Sequence, residues 1–124
     1  MVFRRGTFLM PSGPRHNPSI MHLQIVCNDT CALGLNLLVP VSSFYDGCDN
    51  TCILDTGDHE NITHLSYAFY AKAQIFKATQ IERGLAINFL IPRPNLADAV
   101  FQRIDQGICL SPDTPLNVKK YHRC

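Results

Sequence analysis

Apolar positions in the first half of the chain recur at every second residue, in short runs cut by proline and glycine. Met21, Leu23, Ile25 and Cys27 alternate with His22, Gln24 and Val26, which predicts a half-buried antiparallel strand over 21–27. Thr7 to Met10, between Gly6 and Pro11, predicts a short first strand. The segment between them, PSGPRHNPS, is loop chemistry: proline fixes φ and removes donors, and Gly13 permits a turn. Asn28 to Gly34 turns the chain, and Leu35 to Val41 is a nearly continuous apolar strand run, followed by Ser42 and Ser43. Phe44 to Asn50 is a second loop.

A short apolar strand, Cys52-Ile53-Leu54, then leads into a turn at Gly57, after which an aromatic run resumes at Tyr67, Phe69 and Tyr70. Ala71 to Ala78 and Ala86 to Ile91 read as two further strands, the later one ended by Pro92. One helical turn is expected over 79–83, stopped by Gly84. The period then changes. Leu96, Val100, Phe101, Ile104 and Ile108 recur at helical spacing, with Asn95 as N-cap and Asp98 in the first turn, so a helix is expected over 95–108. Leu23, Ile25, Leu37, Val39 and Ile53 should line one core against Val100, Phe101 and Ile104. The tail, 111–124, carries Lys119, Lys120, His122 and Arg123 and reads as an exposed, frayed basic end. Several short strands followed by one amphipathic helix predict an α+β fold, a small barrel or curled sheet over about 6–91 with the helix against it. A chain of 124 residues fits a single domain over 1–124.

Composition narrows the function classes. A net charge of +1 gives no bulk basic field, so nucleic-acid binding has to come from a local patch. No secretory signal or membrane-spanning run is visible, which makes a cytoplasmic protein the default expectation. In that compartment the six cysteines are expected as thiols or metal ligands rather than disulfides. Cys109 and Cys124 have no partner pattern.

Polar chemistry concentrates in the stretch from Thr51 to Tyr70. Asp55, Asp58 and Glu60 lie with His59 and His64 on a loop held by strand ends, where binding and catalytic groups tend to sit. Cys27-x3-Cys31 and Cys48-x3-Cys52 have the spacing of paired zinc ligands. A strand end, a loop and a facing strand could also bring Cys52, His59 and His22 together as a metal site.

The order of these pieces resembles the MazF/PemK-type toxins. The likeness covers roughly residues 6–108: a short first strand, a Pro/Gly loop, a strand ending in Asn28-Asp29, a strand ending in the Pro40-Val41-Ser42-Ser43 turn, the later Ser66-Tyr67 stretch, and the late helix. The resemblance implies an SH3-like antiparallel β-barrel with a C-terminal amphipathic helix. It further implies a homodimer, cytoplasmic location, an antitoxin protein as partner, and metal-independent endoribonuclease activity on single-stranded RNA. The family's catalytic arginine stands in an Arg-Pro pair entering the second strand. Here that segment is Asn17-Pro18-Ser19-Ile20-Met21-His22, so Arg15 and His22 are the candidates for its place. The family's hydroxyl residue matches Ser42.

Metal-independent RNA cleavage needs a base for the 2′-OH, an acid for the leaving oxygen, and donors for the phosphorane. His22, His59 and His64 supply imidazoles, Arg15 a guanidinium, and Ser42 or Ser43 a hydroxyl. Tyr67, Phe69 and Tyr70 are candidates for stacking exposed bases, with Tyr67 and His64 the substrate-binding pair. Two alternatives stay open: a catalytically silent binding module of the same fold, and a small zinc-stabilised domain.

Overall fold

The structure, a computed structural model, describes residues 1–124. In chain order its elements are β1 (Thr7–Pro11), β2 (Met21–Val26), β3 (Leu35–Ser43), β4 (Ile53–Leu54), β5 (Ser66–Ala68), β6 (Gln74–Lys77), α1 (Ala78–Ala86), β7 (Ile91–Arg93), α2 (Asp98–Leu110) and α3 (Leu116–His122), with a 3-10 turn at Tyr70–Lys72. All strand pairs are antiparallel, and the fold is mixed α+β. The sheet order is β4-β5-β3-β2-β1-β7, with β6 also on β3. The outer strands β4 and β7 are not hydrogen-bonded to each other, so the sheet is open where a barrel was expected.

Strand β3 changes partners along its length. On one edge Leu35–Leu38 pair with β6 and Val41–Ser43 with β5; on the other edge Leu38–Pro40 pair with β2. Pro40 falls in the gap between the β6 and β5 ladders, where its missing N–H interrupts neither. Its carbonyl accepts from the N–H of Phe69 at 2.8 Å, which carries the chain across that gap. Beyond the Gln24–Pro40 pair, β2 stays with β1 as far as Met21–Pro11 while β3 follows β5. The two strands therefore splay apart at one end.

One sheet face carries the main core. Leu23, Ile25, Leu37 and Val39 pack with Val100, Phe101, Ile104 and Ile108 of α2, as the alternation predicts. Strand β4 contributes Leu54, flanked by Cys52, rather than Ile53, which is half-buried. Pairing of Ile53 with Tyr67 sets that parity, and two residues are too few for the sequence to show it. The Tyr70 ring fills the space below α2, its hydroxyl donating to the carbonyl of Ile104 at 2.8 Å. A Cβ on Gly107 would stand 2.0 Å from that hydroxyl oxygen, which accounts for a glycine inside a helix. On the opposite face Phe8, Val26, Leu38, Ile81 and Leu90 form a smaller cluster under α1.

Several expectations change, among them that all six cysteines are thiols or metal ligands. Helix α1 runs through Gly84 instead of stopping there, because Leu90 folds back onto it; a Cβ at Gly84 would lie 2.7 Å from the Leu90 side chain. The strand expected at 86–91 is shorter and later, and Pro92 sits inside edge strand β7. Helix α2 begins at Asp98, not Asn95, because the N–H of Leu96 is taken by the carbonyl of Arg5 at 2.9 Å and the preceding chain is extended. The tail is not frayed. Val118 of α3 is fully buried, and the hydroxyl of Tyr121 accepts from Asn28 Nδ2 at 2.8 Å and donates to the carbonyl of Leu35. Cys109 and Cys124 form a disulfide across 15 residues, closing α3 onto the end of α2; Cys27, Cys31, Cys48 and Cys52 are free thiols. No helix is long and apolar enough to cross a membrane.

Two outcomes follow from this packing. Gly107→Ala should destabilise the protein by about 1–3 kcal/mol in urea unfolding, because the methyl overpacks Tyr70. Cys109→Ser should lower stability by about 2–4 kcal/mol, the usual effect of opening a loop of this kind. Dithiothreitol should lower the wild-type unfolding midpoint and leave that of the serine variant unchanged.

Candidate functional site

The splay between β2 and β3 places His22 where two grooves meet. The first, about 280 Å³, lies on the outer sheet face and is lined by Ser12, His22, Gln24, Pro40, Phe69 and Lys72, with Met10 and Gln74 at its sides. The second, about 190 Å³, lies at the splay and is lined by His22, Ser42, Ser43, Asn61, His64 and Ser66 above an apolar floor that includes Leu23 and Val41. An apolar cleft of about 220 Å³ between α1 and the sheet adjoins the first groove at Met10.

The imidazole of His22 is oriented by its neighbours. Ser12 Oγ donates to the carbonyl of Met10 at 3.2 Å, so it accepts from His22 Nδ1, 2.8 Å away. That tautomer leaves the Nε2 lone pair free to take a proton. His64, exposed on the loop before β5, holds Nε2 2.7 Å from Ser43 Oγ, while Thr63 Oγ1 stands 3.3 Å from its Nδ1. The Ser12 loop is closed by a bond from the Ser12 N–H to the carbonyl of Ile20 at 2.9 Å. Gly13 permits that closure, since a Cβ there would stand 2.0 Å from the carbonyl oxygen of Asn17.

Three of the expected site residues share the second groove: His22, Ser42 and His64. Arg15 is exposed in the loop that precedes β2 and lines neither groove. Tyr67 is buried at 1% exposure and cannot offer its face to a base. Its ring instead packs on Phe69 at 5.3 Å and on Tyr45 at 5.9 Å, and Phe69 is the aromatic that reaches the first groove. Burial, followed by the bond with Tyr45, pushes the Tyr67 hydroxyl up to about 12, in keeping with a structural role.

His59 is a structural pin. It is 8% exposed, and Nδ1 accepts from the N–H of Asn61 at 3.0 Å. Nε2 therefore carries the proton and donates to the carbonyl of Pro94 at 2.7 Å, with Thr7 Oγ1 3.2 Å away. Charged side chains of the same loop also hold it in place. Arg93 bonds Asn61 Oδ1 at 2.8 Å and pairs with Glu60; Arg103 of α2 bonds the carbonyl of Ile53 at 2.6 Å and Asp58 at 3.3 Å. The density of polar groups that singles out this loop in sequence thus serves to clamp it to β7 and α2.

Cys52, His59 and His22 do not converge. Cys52 lies in the main core, where burial raises its thiol pKa, His59 is bonded as described, and His22 faces the grooves. No three His, Cys, Asp or Glu side chains come together in a group that could hold a metal ion. Sequence reasoning missed Gln24 and Ser12, and of the aromatic run it is Phe69, not Tyr67, that lines a groove. The signal for Gln24 was present: it stands in the same strand phase as His22. Comparison of the chain with protein-family models and with curated proteins gives no match.

His59→Ala removes the polar contacts of a buried ring and leaves the Asn61 N–H without its acceptor. It should cost about 1–3 kcal/mol of stability, read as a lower thermal midpoint. His59→Ala that melts with wild type would show that the pin is not needed.

Proposed function

We propose that the protein cleaves single-stranded RNA without a metal, at the splay between β2 and β3. The observation that carries this reading is that His22 and His64 line one groove beside the hydroxyls of Ser42 and Ser43. His22 Nε2 takes the proton of a ribose 2′-OH, and the 2′-oxygen attacks the adjacent phosphorus. The P–O5′ bond breaks, and the departing 5′-oxygen takes a proton from the His64 imidazolium. The products are a 2′,3′-cyclic phosphate and a 5′-hydroxyl. Ser42 and Ser43 donate to the phosphorane oxygens, and Arg15 and Lys72 supply cations from outside the groove. His59 has no role in this scheme. The resemblance to the MazF/PemK-type toxins supports the same reading. It adds an SH3-like barrel topology for the curling of β1, β2, β3, β5 and β6, together with a homodimer, an antitoxin partner and a cytoplasmic setting.

A second reading is favoured by one observation: no arginine lines either groove. An RNA-binding module that does not cleave would keep the grooves and lack the guanidinium that holds a phosphorane bidentately.

Purified protein should be incubated with mixed-sequence single-stranded RNA in excess EDTA. Cleavage leaving cyclic phosphate ends is expected, and RNA with 2′-deoxy substitutions should resist it. His22→Ala and His64→Ala should each lose on the order of 10²–10⁴-fold in rate. Equal residual cleavage by wild type and both variants would overturn the assignment. Binding without cleavage by wild type would establish the second reading.

A further inference from the structure

We infer that the outer groove is a base-reading subsite, in which Gln24 recognises the edge of an unstacked adenine; this rests on the proposal that the protein acts on RNA. Gln24 is 3% exposed at the centre of β2, yet its carboxamide has no hydrogen-bond partner within the protein. No polar side-chain atom in the molecule is sealed away unpartnered, so this amide meets the groove that it lines. An amide that is unpaired within the protein and opens into a groove is free to exchange water for a ligand with a complementary edge.

The surroundings fit a base. A carboxamide presents an acceptor and a donor side by side, which matches the N6–H donor and N7 acceptor of adenine. The wall beside it is Phe69, a half-buried ring held by Tyr67, which is itself packed on Tyr45. A ring held in this way gives a base a stacking face. Lys72 stands exposed at the rim and forms no ion pair, so it can meet the phosphate of the same nucleotide. The groove shares His22 with the splay, so a strand seated by its base here passes the imidazole proposed for chemistry. Uracil and cytosine have no purine edge at this position. Guanine offers O6 and N7, two acceptors, where the carboxamide oxygen needs a donor.

The test is equilibrium binding of labelled seven-nucleotide oligomers of A, C or U, made uncleavable by 2′-deoxy substitution, at one fixed salt concentration. Wild type should bind the A oligomer on the order of tenfold more tightly than the others. Replacing adenine by 7-deazaadenine, which removes N7 and keeps the ring, should abolish that preference. Gln24→Met, checked for folding by its thermal midpoint, should bind all three alike. Lys72→Ala should weaken all three equally and reduce the salt slope by about one. Equal binding of A and 7-deazaadenine oligomers by wild type overturns the inference without needing any variant. RNA cleavage or binding that is blind to base overturns it while leaving the proposed function standing. If no RNA binds at all, the proposed function falls and this inference falls with it.

Discussion

Pro40 stands at the point of β3 where a residue without an N–H can sit between two ladders, and the architecture spreads from there. To one side β6 and β5 divide the same edge of β3; to the other β2 leaves β3 after Gln24. A strand with a donor at position 40 could continue one ladder along the whole edge. With proline there, the chain crosses the gap through the Phe69 N–H bonded to the Pro40 carbonyl, and the sheet turns at that crossing. On the opposite edge β2 parts from β3 after the Gln24–Pro40 pair, and that splay opens the grooves that His22 lines.

The two sheet faces then take different roles. One is closed by α2, with the Tyr70 ring wedged under Gly107 and the loop of residues 55–63 pinned by His59 and clasped by Arg93 and Arg103. That face is well packed and has little freedom. The other is only partly covered, because α1 spans nine residues and lies over the apolar end alone. The remainder, from Met10 to Lys72, is open and polar. Rigidity on the closed face is what holds the groups of the open face at fixed positions.

Strands β1, β2 and β3 were legible because their side chains alternate or run apolar between breakers, and the buried face of α2 was legible from its helical period. Three things were not. Gly84 reads as a helix stop, yet it lies inside α1 because Leu90, a residue beyond the helix, needs the space. The tail reads as solvated because Lys119, Lys120, His122 and Arg123 cluster at its end; α3 is held by one buried valine, one tyrosine and a disulfide, and which cysteines pair is not written in their spacing. The loop around His59 reads as chemistry because its polar groups are dense, and density does not separate groups that face a ligand from groups that bond each other. His22 lies in a regular strand, where phase gives direction, and its side chain lines both grooves. The same phase points Gln24 into the outer groove.

The sheet is bounded by three short strands. Strand β4 has two residues, β7 has three with Pro92 in the middle, and β6, which pairs with β3 alone, has four. None offers a further strand a long run of free donors and acceptors. A sheet with blunted borders resists growth by edge addition, so it is shielded from the stacking that leads to fibrils. It also restricts how other molecules can attach. Association by strand exchange is disfavoured, and what the protein recognises has to be met across a face, through side chains.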